Sequence, residues 1–197
     1  LFDVDAMGGP LHRLTDTPGY DAEGSYSPDG SQIVFCSTRD GDPDLYIMSS
    51  DGTNLRQLTN TPGYDGGPFF SPDGQWVVYR SDRKKADFLQ IHAVRSDGSI
   101  DVELTNNVGV NWAPYWHPNG KVIAFTTSLH GHYRYEIYLM NIETGVQMRL
   151  TNSPSFDGLP VFTPDGKKLA WTSARTNSGQ SQIFLADWNH ERAQQLL

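Results

Sequence analysis

The sequence predicts an all-β protein built as a β-propeller from four-stranded antiparallel blades. One observation is a repeat that begins at Leu14, Leu58, Leu104 and Leu150, with a period of 44 to 46 residues. The other is that each repeat holds four short strand-like segments separated by turn residues. Tandem four-stranded units at this period are typical of propeller blades. We label the strands of each blade A to D in chain order.

The repeats divide the chain into a half-blade and four full blades. Residues 1–14 align with strands C and D alone. The full blades are predicted at residues 15–58, 59–104, 105–150 and 151–197. In the last blade, the segment Gln194, Gln195 and Leu196 aligns with strand D. A half-blade and an open end expose sheet edges, so we also expect self-association through these edges.

Two features of each blade support this assignment. The A–B turn reads Ser-Pro-Asp-Gly at 27–30 and 71–74, His-Pro-Asn-Gly at 117–120 and Thr-Pro-Asp-Gly at 163–166. Proline presets φ for the turn, and glycine supplies the positive φ that closes it. Strand B is apolar on both faces, since Ile33 and Phe35 alternate with Val34 and Cys36. Such a strand is expected between two packed layers.

Composition narrows the classes of partner. The net charge of −8 disfavours nucleic acid as a partner. No window holds 18 consecutive apolar residues, so we expect no membrane insertion. Cys36 is the single cysteine of the sequence, which rules out an intrachain disulfide and a cysteine-based zinc site.

The repeats resemble those of the TolB-type propellers, which also occur in tricorn and prolyl-peptidase-like proteins. The resemblance rests on Leu58-Thr59, the segment 64–74 and its copies, and the Val77–Arg83 strand. It implies a propeller of about six or seven blades, of which this chain would be a fragment. It also implies a bacterial extracytoplasmic setting, in the periplasm or secreted.

One repeated position places carboxylates just before strand A, the strand that lines the channel. These residues should ring one mouth of the channel and could bind Ca²⁺ or a basic peptide. They are Asp21, Asp65, Asn111 and Asp157.

A second repeated position, just after strand B, suggests a structural role for those carboxylates. The D–A and B–C connections lie at the same end of a blade, so the two positions should be neighbours. The blade with Asn111 in place of Asp also has Leu129 in place of Arg. This joint departure indicates an Asp–Arg pair within each of the other blades. The arginines are Arg39, Arg83 and Arg175.

Blade 3 departs from the repeat at the same end. Trp112 stands where the other blades have Ala22, Gly66 and Gly158, and the B–C hairpin carries His130 and His132. A large aromatic side chain at a channel mouth is a candidate binding residue. The alternative is that Trp112 fills space left by the missing Asp–Arg pair. The two histidines alone are too few for a metal site.

The sequence contains no serine elbow, HExxH motif or phosphate-binding loop, so we predict no catalytic residues and no cofactor. The main hypothesis is a non-catalytic scaffold that binds protein or peptide at the channel mouth. One alternative is a substrate-recognition or gating propeller of a larger serine hydrolase or peptidase. Another is a carbohydrate-active propeller, which would need a metal-binding histidine cluster.

Overall fold

The computed structural model describes residues 1–176 and 179–197, and within them the protein is all-β apart from one short helix. The strands form a small two-stranded sheet and four larger antiparallel sheets. The larger sheets are the four blades that the repeats predict, so the predicted fold class is confirmed.

Each strand has the following bounds. The half-blade contains β1 (Phe2–Asp3) and β2 (His12–Arg13). Blade 1 contains β3 (Asp21–Tyr26), β4 (Gln32–Ser37), β5 (Asp44–Ser49) and β6 (Arg56–Gln57). Blade 2 contains β7 (Asp65–Phe70), β8 (Trp76–Ser81), β9 (Gln90–Arg95) and β10 (Asp101–Glu103).

Blades 3 and 4 continue the series. Blade 3 contains β11 (Asn111–Trp116), β12 (Val122–Thr127), β13 (Glu136–Asn141) and β14 (Gln147–Arg149). Blade 4 contains β15 (Asp157–Phe162), β16 (Lys168–Ser173) and β17 (Gln182–Asp187), followed by helix α1 (His190–Leu196). Neighbours in sequence are neighbours in each sheet.

The A–B turns close through the side chains that the sequence singles out. In blade 1, Ser27 Oγ donates to Asp29 Oδ1 over 2.6 Å and accepts from the backbone N–H of Gln32 over 2.9 Å. Gly30 has φ of +71°, a conformation that costs other residues free energy. The turns therefore fix the register between strands A and B.

The core lies between the blades rather than inside one sandwich. Val34 and Cys36 of strand B share a core cluster with Val77 and Tyr79 of blade 2. Phe35 faces the other way, into the cluster beneath the half-blade. Strand B is thus buried on both faces, as predicted. Each large apolar side chain buried in this way contributes about 1.5–3 kcal/mol to stability.

The predicted strand D of blade 4 is wrong, because residues 190–196 form helix α1 instead. In blades 1–3 the C–D turn contains Gly52, Gly98 or Gly145, each with positive φ. The matching stretch of blade 4, residues 187–192, has no glycine. Asn189 instead caps a helix by accepting from the N–H of Arg192 over 2.9 Å. The Ala-Gln-Gln-Leu composition then favours the helix.

Antiparallel connections give the blades two ends. We call the end with the D–A and B–C connections the loop end, and the end with the A–B and C–D turns the turn end. Within residues 1–176 and 179–197, no helix has the length and hydrophobicity that a membrane-spanning helix needs.

Candidate functional site

The first residue of strand A anchors blades 2, 3 and 4 at the loop end. The backbone N–H groups of Asp65, Asn111 and Asp157 donate to carbonyl groups just before strand C of the preceding blade, over 2.8 to 2.9 Å. These three side chains are fully buried, and that of Asp21 is 8% exposed. Asp65, Asn111 and Asp157 of the predicted ring are therefore packed inside the protein.

Each of the three carboxylates lies against the arginine of its own blade. Arg39 reaches Asp21 over 3.1 Å and Arg83 reaches Asp65 over 3.0 Å. Arg175 makes the same contact with Asp157. Each guanidinium also donates through Nε to the serine that ends strand B, over 2.8 to 2.9 Å. The arginine holds one oxygen of each carboxylate, and within the described residues the buried Oδ1 atoms of Asp65 and Asp157 have no hydrogen-bond partner.

Blade 3 replaces the ion pair with neutral amides. The Asn111 side chain donates to Gln90 Oε1 over 2.8 Å and to Asn107 Oδ1 over 3.0 Å. Gln90 in turn donates to the carbonyl group of Gly109 over 2.9 Å. The counterpart of Gln90 in blade 1 is Asp44, and burial near Asp65 and Asp42 raises the pKa of Asp44 to about 6. The loop end of blade 3 is thus the one whose anchor carries no charge.

An aromatic cluster lies at the loop end, between blades 3 and 4. The Trp112 ring lies 6.1 Å from that of Tyr135, edge to face, and 6.4 Å from that of Phe156. Tyr135 and Phe156 are 5.9 Å apart, and His132 is 6.2 Å from Tyr135. Centroid separations of this size are favourable for aromatic pairs. We call Trp112, Tyr135, Phe156 and His132 the aromatic cluster.

The packing gives a structural reason for Trp112. A Cβ added at Gly158 would lie 2.7 Å from the Phe156 ring, because Phe156 folds over that glycine. Tyr64 lies over Gly66 in the same way. In blade 3 the corresponding aromatic is absent, since residue 110 is valine, and Trp112 stands at the glycine position. The aromatic side chain of blade 3 therefore lies two residues later in the repeat than those of blades 2 and 4.

The two predicted histidines separate in the structure. His132 belongs to the aromatic cluster, whereas His130 turns to Tyr138, with 2.7 Å between Nε2 and the hydroxyl oxygen. Tyr133, between them, is 88% exposed. No group of three or more His, Cys, Asp or Glu side chains placed to hold a metal ion occurs within residues 1–176 and 179–197.

One interaction near this end was not predicted. Glu23 accepts from the backbone N–H of Gly67 over 2.7 Å and from the Tyr64 hydroxyl over 3.0 Å, and it forms an ion pair with Arg80. Glu23 lies at a β-bulge with φ of +57°, as do Ala113 and Leu159 with similar φ. Blade 1 is thereby joined to blade 2 through a charged group.

The sequence contains a pattern that indicates the ion pair between Glu23 and Arg80. Glu23 aligns with Gly67, Ala113 and Leu159, and Arg80 aligns with Cys36, Thr126 and Thr172. Each charge appears once among the blades, on adjacent blades. Opposite charges that appear together at two repeated positions indicate an ion pair, as they do for Asp and Arg within a blade, and here the pair joins two adjacent blades.

A family model for the TolB beta propeller domain matches residues 99–197. This match covers half of the chain. The chain belongs to the TolB β-propeller domain family.

Two TolB proteins are similar to this chain, one in sequence and one in structure. Tol-Pal system protein TolB of Bordetella pertussis is 42% identical over 53 residues, which are 26% of this chain and 12% of that protein. The match therefore spans about an eighth of that relative. The crystal structure of TolB from Acinetobacter baumannii superimposes with a TM-score of 0.83, at 22% identity, over 94% of this chain and 45% of that one.

The same fold also occurs in an enzyme. Oligogalacturonate lyase from Vibrio parahaemolyticus superimposes with a TM-score of 0.71 at 16% identity, over 95% of this chain and 56% of that one. Likeness at this identity shows the fold alone. Because proteins with different names share this fold, function must be argued from the site.

Proposed function

We propose that this chain is a non-catalytic propeller scaffold that binds a protein or peptide partner at the loop end of the channel. The observation that supports the proposal is the aromatic cluster at blades 3 and 4, in which Trp112, Tyr135 and Phe156 are half-buried and His132 is exposed. Tyr and Trp are enriched among residues that dominate binding energy in protein interfaces. Their rings give large contact area while losing little conformational entropy.

Exposed groups extend the cluster into a contact surface. Tyr133 of the B–C hairpin and Val108 of the D–A loop are each 88% exposed. Both belong to blade 3, the blade with the neutral anchor. A partner that covers them gains apolar burial, at about 25 cal/mol per Å² of apolar surface.

The carboxylates have a supporting role in this proposal. Asp21, Asp65 and Asp157 are held by arginines, so they stiffen the loop end and do not supply free charge. We therefore assign recognition to Trp112 and Tyr133 and their neighbours, and no bound metal ion is required.

Membership of the family supports a cellular location for this chain and a protein as its partner. The Bordetella relative is named as a protein of the Tol-Pal system. We place this chain outside the bacterial cytoplasm, in the periplasm or secreted, where its partner would be another protein. Self-association through an open blade face is part of the same proposal, because Ile183 and Leu185 on the outer strand of blade 4 are 74% and 59% exposed.

Photo-crosslinking tests the location. A photo-reactive amino acid is placed at Tyr133, and at Ile100 in the C–D turn of blade 2 as a control. Ile100 is 46% exposed and lies at the opposite end. We expect one partner to be captured from position 133 and not from position 100, and binding of that partner to weaken about 30-fold in Trp112→Ala. Capture from position 100 with unchanged binding by Trp112→Ala would overturn the proposal.

A further inference from the structure

An apolar slot of about 200 Å³ lies between blades 2 and 3, toward the turn end. Each of these blades also contacts another blade on its far side, since β3 lies against β7 and β11 lies against β15. We call this space and the six side chains that line it the blade 2–3 slot. The side chains are Trp76, Ala93, Val102, Leu104, Trp116 and Ile142.

The equivalent positions are packed at the two neighbouring junctions. Between blades 1 and 2, Arg56 stands at the position of Val102 and donates to the carbonyl oxygen of Ser96, which stands at the position of Ile142. Between blades 3 and 4, all six positions belong to one apolar cluster. Its members at these positions are Val122, Leu139, Met148, Leu150, Phe162 and Trp188. At both neighbouring junctions, groups of the two blades thus meet at these positions.

Two residues of blade 2 account for the slot. Ala93 stands where blades 1 and 3 have the buried side chains of Ile47 and Leu139, so a branched apolar side chain is missing here. The Trp76 ring adds a wall that the other blades lack, since they have Gln32, Val122 and Lys168 at this position. Empty apolar space costs free energy of folding, so a ligand that fills the slot would stabilise the protein.

Two N–H donors beside the slot have no acceptor within the described residues. Trp116 is 6% exposed, and its indole Nε1 is buried without a hydrogen-bond partner. Arg95 lies over the Trp76 ring, 5.1 Å from its centroid, and the buried Nε of Arg95 is also unpartnered. Buried donors without acceptors cost free energy. The slot therefore suits a ligand that brings acceptor atoms, and the charge of Arg95 favours an anion.

We propose that the blade 2–3 slot binds a small aromatic carboxylate, with the ring against Trp76 and Trp116 and the carboxylate at Arg95. Aromatic rings pair favourably with indole rings, and an apolar cavity of about 150 Å³ is large enough for benzene. A guanidinium binds a carboxylate through two parallel hydrogen bonds. The slot lies toward the turn end, so this site is separate from the aromatic cluster at the loop end and does not depend on the partner proposed above.

Phenylacetate is the probe, because it carries one ring and one carboxylate. We expect it to bind saturably by calorimetry and to shift the indole N–H signal of Trp116 in NMR spectra. Phenylacetamide keeps the shape without the charge and should bind at least about tenfold more weakly. Cyclohexylacetate keeps the charge without the aromatic ring and should bind about threefold more weakly. Equal binding of either analogue, or tighter binding of N-acetylphenylalanine, which represents the end of a peptide chain, would overturn the proposal.

Protein variants test the location of the site. Ala93→Ile and Arg95→Ser each introduce the residue that blade 1 has at that position, and each should weaken phenylacetate binding at least about tenfold. Arg134→Ser, which removes an exposed charge at the loop end, and Trp112→Ala should keep the parent affinity. Parent affinity in Arg95→Ser, or in Ala93→Ile with cooperative thermal unfolding retained, would overturn the proposal. If Ala93→Ile does not fold, Arg95→Ser decides the test.

Discussion

Blades 2 and 3 are neighbours with the same strand order, yet their loop ends differ in chemistry. Blade 2 anchors its loops with the Asp65–Arg83 ion pair, and blade 3 does so with the amide of Asn111. Tyr64 covers Gly66 in blade 2, and Trp112 stands at the position of Gly66 in blade 3. The repeat thus supplies a common scaffold, and we propose that recognition resides where blade 3 departs from it.

The largest expected effect comes from breaking a charged anchor. Arg175→Leu leaves Asp157 buried without its partner, and we expect a loss of about 3–5 kcal/mol of unfolding free energy. Adding Asp157→Asn reproduces the Asn–Leu combination of blade 3. The amide can then donate to Glu136, the counterpart of Gln90, and we expect most of the loss to be recovered.

Urea denaturation of the parent, both single variants and the double variant measures this coupling. If the double variant is as unstable as Arg175→Leu, the Asp–Arg pairs and the blade 3 amide are not alternative anchors.

A smaller effect is expected at the link between blades 1 and 2. Glu23→Gln removes the charge that Arg80, Tyr64 and Gly67 share, and we expect a loss of about 1–2 kcal/mol. Glu143→Gln is the control, because its ion pair with Lys121 is exposed and spans 3.6 Å. That change should cost less than about 0.5 kcal/mol. Equal losses in the two variants would show that Glu23 does not join the blades.

The smallest effect is a pH dependence at the turn end. The rings of His117 and His190 stack at 4.1 Å, and burial beside His117 lowers the pKa of His190. The folded protein therefore binds fewer protons at His190 than the unfolded chain does. Its contribution to stability is complete above the unfolded pKa, about 6.5, and is lost as the pH falls below that value.

The measurement is Trp188 fluorescence between pH 8 and 5, because the Trp188 indole N–H faces His190 Nδ1 at 3.4 Å. The control is His117→Ser with Asn119→Asp, which restores the Ser-Pro-Asp-Gly turn of blades 1 and 2. We expect a smaller change in fluorescence with pH in this control than in the parent. An identical pH profile in the two proteins would show that His117 does not lower the pKa of His190.

Much of the fold could be predicted because its signals are local and repeated. The A–B turns follow from Ser27, Asp29 and Gly30, and the burial of strand B follows from its uninterrupted apolar run. The nearness of the Asp and Arg positions follows from antiparallel topology. The loss of strand D in blade 4 has a local signal as well, the absent turn glycine in residues 187–192, which the alignment of Gln194–Leu196 obscured.

The site was less predictable, because its contacts cross between blades. The Trp112–Phe156 contact depends on how a side chain from one blade lies against the next. The His117–His190 stack depends on where helix α1 folds back. Neither follows from strand order and alternation, which specify a face of a sheet and not the neighbour opposite.

The most direct test of the central claim is to give blade 3 the pattern of blade 4 with Val110→Phe and Trp112→Gly. This double change returns the aromatic side chain to its usual place, so thermal unfolding should stay close to that of the parent. We expect the partner captured from position 133 to bind at least about tenfold more weakly by calorimetry. Parent-like affinity with parent-like stability would contradict the claim that recognition resides where blade 3 departs from the repeat.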